Sequence, residues 1–176
     1  MRVPGDDRNG PFCILYVMST PNRTYAAIYL KMRESALQWR PRNPTDDRVH
    51  TVLMDRNVAN GTATVLAAAD GTASIYFCSG GGYIGGGQKY PEIREAALRA
   101  IEIATDLLPQ FEMTETLDLP PRGDVYFYLS TNAGVRLAIA TDARLSAGTD
   151  PLIPLGGIMQ QIITEHRLKY PRPTTH

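Results

Sequence analysis

Between Pro21 and Gln38 the apolar residues Tyr25, Ile28, Tyr29, Met32 and Ala36 recur at helical spacing and fall on one face. Ser19 or Thr20 can cap that helix, and Pro21 suits its first turn, where a missing amide loses no partner. The segment Arg40-Pro41-Arg42-Asn43-Pro44-Thr45-Asp46-Asp47 reads as a connector, since its prolines cannot continue a helix. Strands are expected next at Val49 to Met54, Thr62 to Ala68 and Thr72 to Cys78, divided by turn signals at Asn60-Gly61 and Asp70-Gly71. Asp70-Gly71 predicts a two-residue type I′ hairpin, in which both residues take positive φ. On the third strand Ala73, Ile75 and Phe77 alternate with Ser74, Tyr76 and Cys78. Apolar groups thus occur on both faces, which predicts a sheet covered at least in part on both sides.

The strongest helical pattern runs from Pro91 to Leu108, with a stripe of Ile93, Ala97, Ala100, Ile101, Ala104, Leu107 and Leu108. Glu95 and Arg99 are spaced as an i,i+4 pair on its wet face, and Pro109 ends it. After a loop from Gln110 to Gly123, a second hairpin is expected from Val125 to Ser130 and Val135 to Ala140, turning through Thr131-Asn132-Ala133-Gly134. A last helix from Pro154 to Leu168 buries Leu155, Ile158, Met159, Ile162 and Ile163, and Gly156 and Gly157 in its first turn permit close packing. The expected class is α+β: a five-stranded, mostly antiparallel sheet packed with about three helices in the order α-βββ-α-ββ-α. One domain spans 21–168, with 1–20 as an N-terminal extension and 169–176 as a tail.

The run Phe12 to Met18 is apolar but too short to span a bilayer, which takes about 20 residues. It follows Asp6 and Asp7 and precedes no small-residue cleavage site, so it does not read as a signal peptide. With 43% hydrophobic and 20% charged residues the composition is that of a globular protein, and neither disorder nor a membrane protein is expected. Eighteen basic residues balance 18 acidic ones, which argues against a nucleic-acid partner, because phosphate neutralisation needs a basic surface. Cys13 and Cys78 stand far apart without CxxC or His-rich surroundings. Neither a zinc site nor a disulfide framework is indicated, and a cytoplasmic, reduced setting is expected. The sequons at Asn22 and Asn60 carry no weight in that setting.

The order of elements resembles the profilin-like and roadblock-like group of folds, in which hairpins flank a crossover helix. A closer resemblance lies in Gly61-Thr62-Ala63-Thr64, Ala69-Asp70-Gly71-Thr72 and Ser79-Gly80-Gly81-Gly82-Tyr83-Ile84-Gly85-Gly86-Gly87. These segments, with Phe127-Tyr128, Gly134-Val135 and Pro151-Leu152-Ile153-Pro154-Leu155, are similar to a family of uncharacterised bacterial proteins whose Tyr-Phe strand enters a GGGxIGGG loop. The resemblance implies a bacterial cytosolic origin and no catalytic residue.

The candidate site is that loop: Gly80, Gly81, Gly82, Tyr83, Ile84, Gly85, Gly86 and Gly87, with Lys89 beside it. So many glycines make ordering the chain expensive and demand a reason. The loop contains GxGxxG, but no prompt parallel βαβ unit follows and no acidic residue sits where a ribose would need one. No Gly-Lys-Ser/Thr supplies a phosphate-binding lysine and magnesium hydroxyl. Two uses stay open: loop amides and Lys89 holding an anion, or a loop lying flat on the sheet with Tyr83 and Ile84 as apolar anchors, the latter favoured. His166 beside Glu165 reads as a surface histidine, Ser79 lies outside a GxSxG elbow, and Glu112, Glu115 and Asp118 solvate a loop. Arg122-Gly123-Asp124 is turn chemistry before a strand, and Tyr76, Tyr126 and Tyr128 either line a pocket or subunit interface or, as the favoured reading, pack under helices. With no acid, base, nucleophile or metal set, and no cofactor implied, the expected function is a non-enzymatic interaction or regulatory module with a protein partner or a second copy. The alternative is a small-ligand, nucleotide or anion-binding protein, enzymes included, that uses the Gly80 to Gly87 loop. A membrane partner is not expected.

Overall fold

The computed structural model describes residues 23–40, 48–59 and 61–170. The extension before Arg23, its capping residues, most of the connector, Asn60 of the first turn signal and the end of the tail lie outside the described residues. Helix α1 (Arg23–Gln38) is followed by strands β1 (Thr51–Val58), β2 (Gly61–Ala68), β3 (Ala73–Phe77) and β4 (Gly82–Tyr83). Then come α2 (Gly86–Lys89), α3 (Pro91–Asp106), a 3₁₀ turn (Leu108–Gln110) and β5 (Glu112–Met113). The second hairpin is β6 (Asp124–Thr131) and β7 (Gly134–Thr141), and the chain ends in α4 (Asp142–Ala147) and α5 (Ile153–Lys169).

All pairs are antiparallel, in the order β4-β3-β2-β1-β6-β7-β5. The α+β class expected from the sequence holds, but the counts do not: among the described residues there are seven strands and five helices, not five and three. The additional strands β4 and β5 have two residues each, too few to show an alternation of period 2. The additional helices are equally short. The four residues of α2 begin with two glycines, and α4 is fixed by its ends, with Thr141 Oγ1 accepting the Arg144 amide at 3.2 Å and Gly148 left-handed at φ 74°.

The sheet is covered on both faces. Val52, Met54, Val65, Ala67, Ile75 and Phe127 meet α3 and α5 on one side in the larger core. The alternate residues Leu53, Leu66, Tyr76 and Tyr128 meet Tyr29 and Leu37 of α1 on the other. Period-2 alternation assigns each side chain to its face, so the register is fixed by which face is apolar. Helix α3 buries Ile93 together with Ala96, Ala97, Ala100 and Ala104, and the four alanines let its backbone lie close to the strands. Gly156 of α5 packs 3.5 Å from Leu145 and 3.7 Å from Phe127, measured from where its Cβ would stand.

Three local expectations are corrected. Strand β1 spans Thr51–Val58 instead of the expected Val49 to Met54, and Asp55, one residue past the expected end, is held inside by Arg33 and Thr64. The Asp70-Gly71 hairpin has three loop residues rather than two. The Ala68 amide donates to Thr72 O at 2.9 Å and Asp70 Oδ1 accepts the Thr72 amide at 2.8 Å, so an Asx turn shapes the bend. On α3 the nearest partner of Arg99 is Glu102 at 3.8 Å, an exposed pair of little energetic weight, instead of Glu95.

Candidate functional site

The glycine segment leaves β3 at the sheet edge and turns back on it. The Gly80 amide donates to Phe77 O at 2.9 Å, and Gly82 and Tyr83 pair with Tyr76 and Ile75 as β4. Gly85 takes φ 69° and its amide donates to Ser74 Oγ at 3.0 Å before the chain enters α2. The Gly80 and Gly85 amides are therefore committed within the protein. Gly87 passes so close to the β2–β3 turn that a Cβ there would stand 1.9 Å from Gly71 O. A side chain at this position has no room, which supplies a physical reason for glycine independent of any ligand.

The predicted site residues divide among three environments. Gly80 and Tyr83 border a cleft of about 690 Å³ between the loop and α5, with Ser79, Arg167 and Tyr170 over a floor that includes Phe77 and Ile163. Gly80, Gly81, Gly82 and Ile84 border the opposite, α1 side of the β3–β4 edge. Gly86 and Gly87 are buried under α3 and α5, and Lys89 lies over the Tyr90 ring at 5.1 Å, away from both linings.

On the α1 side, two hollows of about 520 and 290 Å³ share Ile28, Met32 and Tyr76 and so form one trough. It runs between α1 and the β3–β4 edge from Trp39 to Ile84. Its lining is mostly apolar, and Ile28 and Ile84 stand 50% and 73% exposed beside it. Large exposed side chains gathered around an apolar hollow mark interaction surfaces more often than isolated ones do.

Beneath α1 lies a polar network that the hydrophobic pattern does not reveal. Arg33, on the same face as Tyr29 and Leu37, pairs with Asp55 of β1, and both are almost fully buried. Arg33 Nη1 also donates to Leu117 O at 2.9 Å. Thr64 Oγ1 donates to Asp55 Oδ1, so its single proton is spent and the Tyr29 hydroxyl must donate to Thr64 at 2.7 Å. Tyr128 OH donates to Asp118 O at 2.7 Å, and its ring centroid lies 5.6 Å from the guanidinium. Burial pushes the Asp55 carboxyl up from its ordinary value, while the charge and hydrogen bonds of Arg33 and the Thr64 hydroxyl work against that shift. Burial also raises the Tyr29 and Tyr128 phenols, with the Asp55 charge adding to both. The one sequence signal was a charged residue at helical spacing from Tyr29 and another interrupting a strand. Of the tyrosines expected to pack under helices, Tyr76 and Tyr128 do, and Tyr126 is half-buried.

His166 is not the surface residue expected from the sequence but fully buried. Its Nδ1 lies 2.8 Å from Ile162 O and so carries the proton, leaving Nε2 without a hydrogen-bond partner. A Cβ on Gly86 would stand 2.5 Å from that nitrogen, and the Tyr83 and Tyr170 rings are centred 5.8 and 6.2 Å from the imidazole. Burial pulls the imidazole below its ordinary value, against the nearby carbonyls of Ile162 and Ala73. Because the folded protein binds this proton less readily than the unfolded chain, the contribution is complete above the unfolded value of about 6.5 and declines as pH falls below it. Urea midpoints measured from pH 8 to pH 5 are expected to fall below about pH 6.5, with a shallower fall in His166→Phe. Equal slopes in the two proteins would remove the assignment.

Among the described residues no cluster of three or more His, Cys, Asp or Glu side chains is placed to hold a metal ion. None of the described helices is long and apolar enough to cross a membrane. No family model, curated protein or solved structure matches the chain.

Proposed function

We propose that the protein is a non-enzymatic interaction module that docks an apolar segment of a protein partner in the trough between α1 and the β3–β4 edge. The observation that carries this reading is the trough itself, a mostly apolar hollow flanked by exposed Ile28 and Ile84. The glycine segment supports it, since the loop lies against the sheet and presents Ile84 to solvent, as an anchor would be presented. Burying one such side chain against a partner contributes about 1.5–3 kcal/mol, enough to make it a dominant contact.

A photo-crosslinking residue at position 84 of the full chain, irradiated in the native host, is expected to give discrete adducts of higher mass that disappear when Ile28→Asp is added. Because Ile28 is half exposed, that substitution should leave the urea midpoint nearly unchanged. A ladder without discrete bands, or adducts indifferent to Ile28→Asp, would reject the reading.

The cleft on the other side of the loop favours the second reading, a small-ligand or anion-binding protein, because Arg167 and the rings of Tyr83 and Tyr170 gather over its apolar floor. That reading replaces the first if a nucleotide or phosphate panel raises the melting temperature in a manner dependent on Arg167.

A further inference from the structure

The cleft between the glycine loop and α5 has one wall that is fixed by its own packing. The Tyr83 and Tyr170 rings stack with their centroids 5.4 Å apart and 29° between their planes, and Tyr90 meets Tyr170 edge-on at 5.3 Å. Buried His166 backs both stacked rings. A wall held in this way spares a ligand the cost of ordering it. The floor is apolar, with Ile75, Phe77 and Ile163 beside the small side chain of Ala63, which stands opposite Phe77 in the register of β2 and β3. Val58, 45% exposed, borders the same space.

Charge in the cleft has a single sign. Its lining includes Arg167 and no acidic residue. Other cations of α2, α3 and α5 are engaged elsewhere: Lys169 pairs with Glu92 at 2.7 Å, Arg94 donates to Asp70 O at 2.6 Å, and Lys89 lies over the Tyr90 ring. Arg167 is exposed in the last turn of α5, and among the described residues no hydrogen bond or ion pair engages its guanidinium. A lone cation over an apolar floor complements an anion with an apolar body.

We propose that the cleft binds an alkyl monocarboxylate, with the carboxylate paired to Arg167 and the chain lying along the floor of Phe77 and Ile163. The inference rests on the second reading above, the cleft as a ligand site, and names the ligand. One planar guanidinium matches the two oxygens of a carboxylate. A phosphate group has more charge and more acceptor oxygens than one arginine satisfies. The Gly80 and Gly85 amides do not make up the difference, because they already donate to Phe77 O and Ser74 Oγ. An alkyl body fits better than an aromatic one, since the Tyr83 and Tyr170 faces are turned toward each other and much of the remaining lining is aliphatic. The volume of about 690 Å³ lies within the range of small-molecule sites.

The test titrates hexanoate, octanoate and decanoate into the full chain by calorimetry, with decanol as the uncharged control. Affinity is expected to rise by up to about fourfold for each methylene that reaches the floor. Decanoate should bind at least tenfold more tightly than decanol, and Arg167→Gln should abolish that preference while leaving decanol unchanged. Val58→Asp, which sets an acid at the cleft, should weaken decanoate tenfold or more, whereas Ile28→Asp in the trough should have no effect. All three positions are exposed, so the variants should unfold at the parent's urea midpoint. A preference that persists without Arg167, affinity indifferent to chain length, tighter binding of 1-naphthoate than of decanoate, or no carboxylate binding at all would overturn the proposal. If phosphate or a nucleotide raises the melting temperature through Arg167 while the carboxylates do not bind, the cleft remains a ligand site and only this inference fails; if neither panel binds, both fail.

Discussion

Asp55→Ala is expected to lower the free energy of unfolding by about 3–5 kcal/mol, because it leaves the Arg33 guanidinium buried without its counter-charge. Thr64 loses its acceptor as well, so the hydrogen-bonded chain from Tyr29 ends on nothing. The attraction within the pair is not the reason for so large an effect, since removing two charges from water offsets most of what the pair gains. The effect comes from the orphaned partner. Arg33→Met/Asp55→Leu, which removes both charges and keeps apolar volume, should therefore recover much of the loss. Urea denaturation of Arg33→Met, Asp55→Leu and the double variant closes the cycle. A double variant less stable than Asp55→Ala would show that the charges stabilise the fold outright, rather than fixing how α1 sits on the sheet.

Gly87→Ala is expected to lose about 3 kcal/mol or more, or to fail to accumulate as folded protein. The added Cβ would stand 1.9 Å from the Gly71 carbonyl oxygen and 3.3 Å from the Arg94 Cα, all backbone that has no rotamer to escape into. Gly81→Ala is the control. Nothing lies within 4 Å of its Cβ, and only the left-handed φ of 82° opposes a side chain. That substitution should lose about 1–2 kcal/mol. If the two losses measured by thermal or urea unfolding are equal, close approach to the β2–β3 turn is not what requires glycine at position 87.

Much of the sheet was legible in the sequence. Strands β2, β3, β6 and β7 have regular alternation and turn residues at their ends, and each lies within two residues of where the pattern put it. Helices α3 and α5 carry apolar stripes long enough to outweigh local noise. The elements that escaped are those stabilised by one or two contacts: β4 by a pair of bridges, α4 by its caps. In the candidate site, the glycine segment was visible by composition alone, but its division between a cleft, a trough and the buried core was not. That division depends on where α1 and α5 pack, which no local pattern encodes. Arg33, Asp55 and His166 were missed or misplaced for a related reason. A charged or titratable residue in a sequence defaults to the surface, and only its tertiary partners reveal that it is inside.

The seam between β1 and β6 also governs how the molecule is assembled. β1 can find β2 as soon as a short turn closes, but its other neighbour arrives only after α3 and the long loop that follows it. Joining distant strands requires closing a long stretch of chain before any contact rewards it, so this step is expected to set the pace of folding. Until it is complete, the β6-facing side of β1 is a bare row of amides and carbonyls beside Val52 and Leu53, and crowded refolding would lose material to aggregation at that stage.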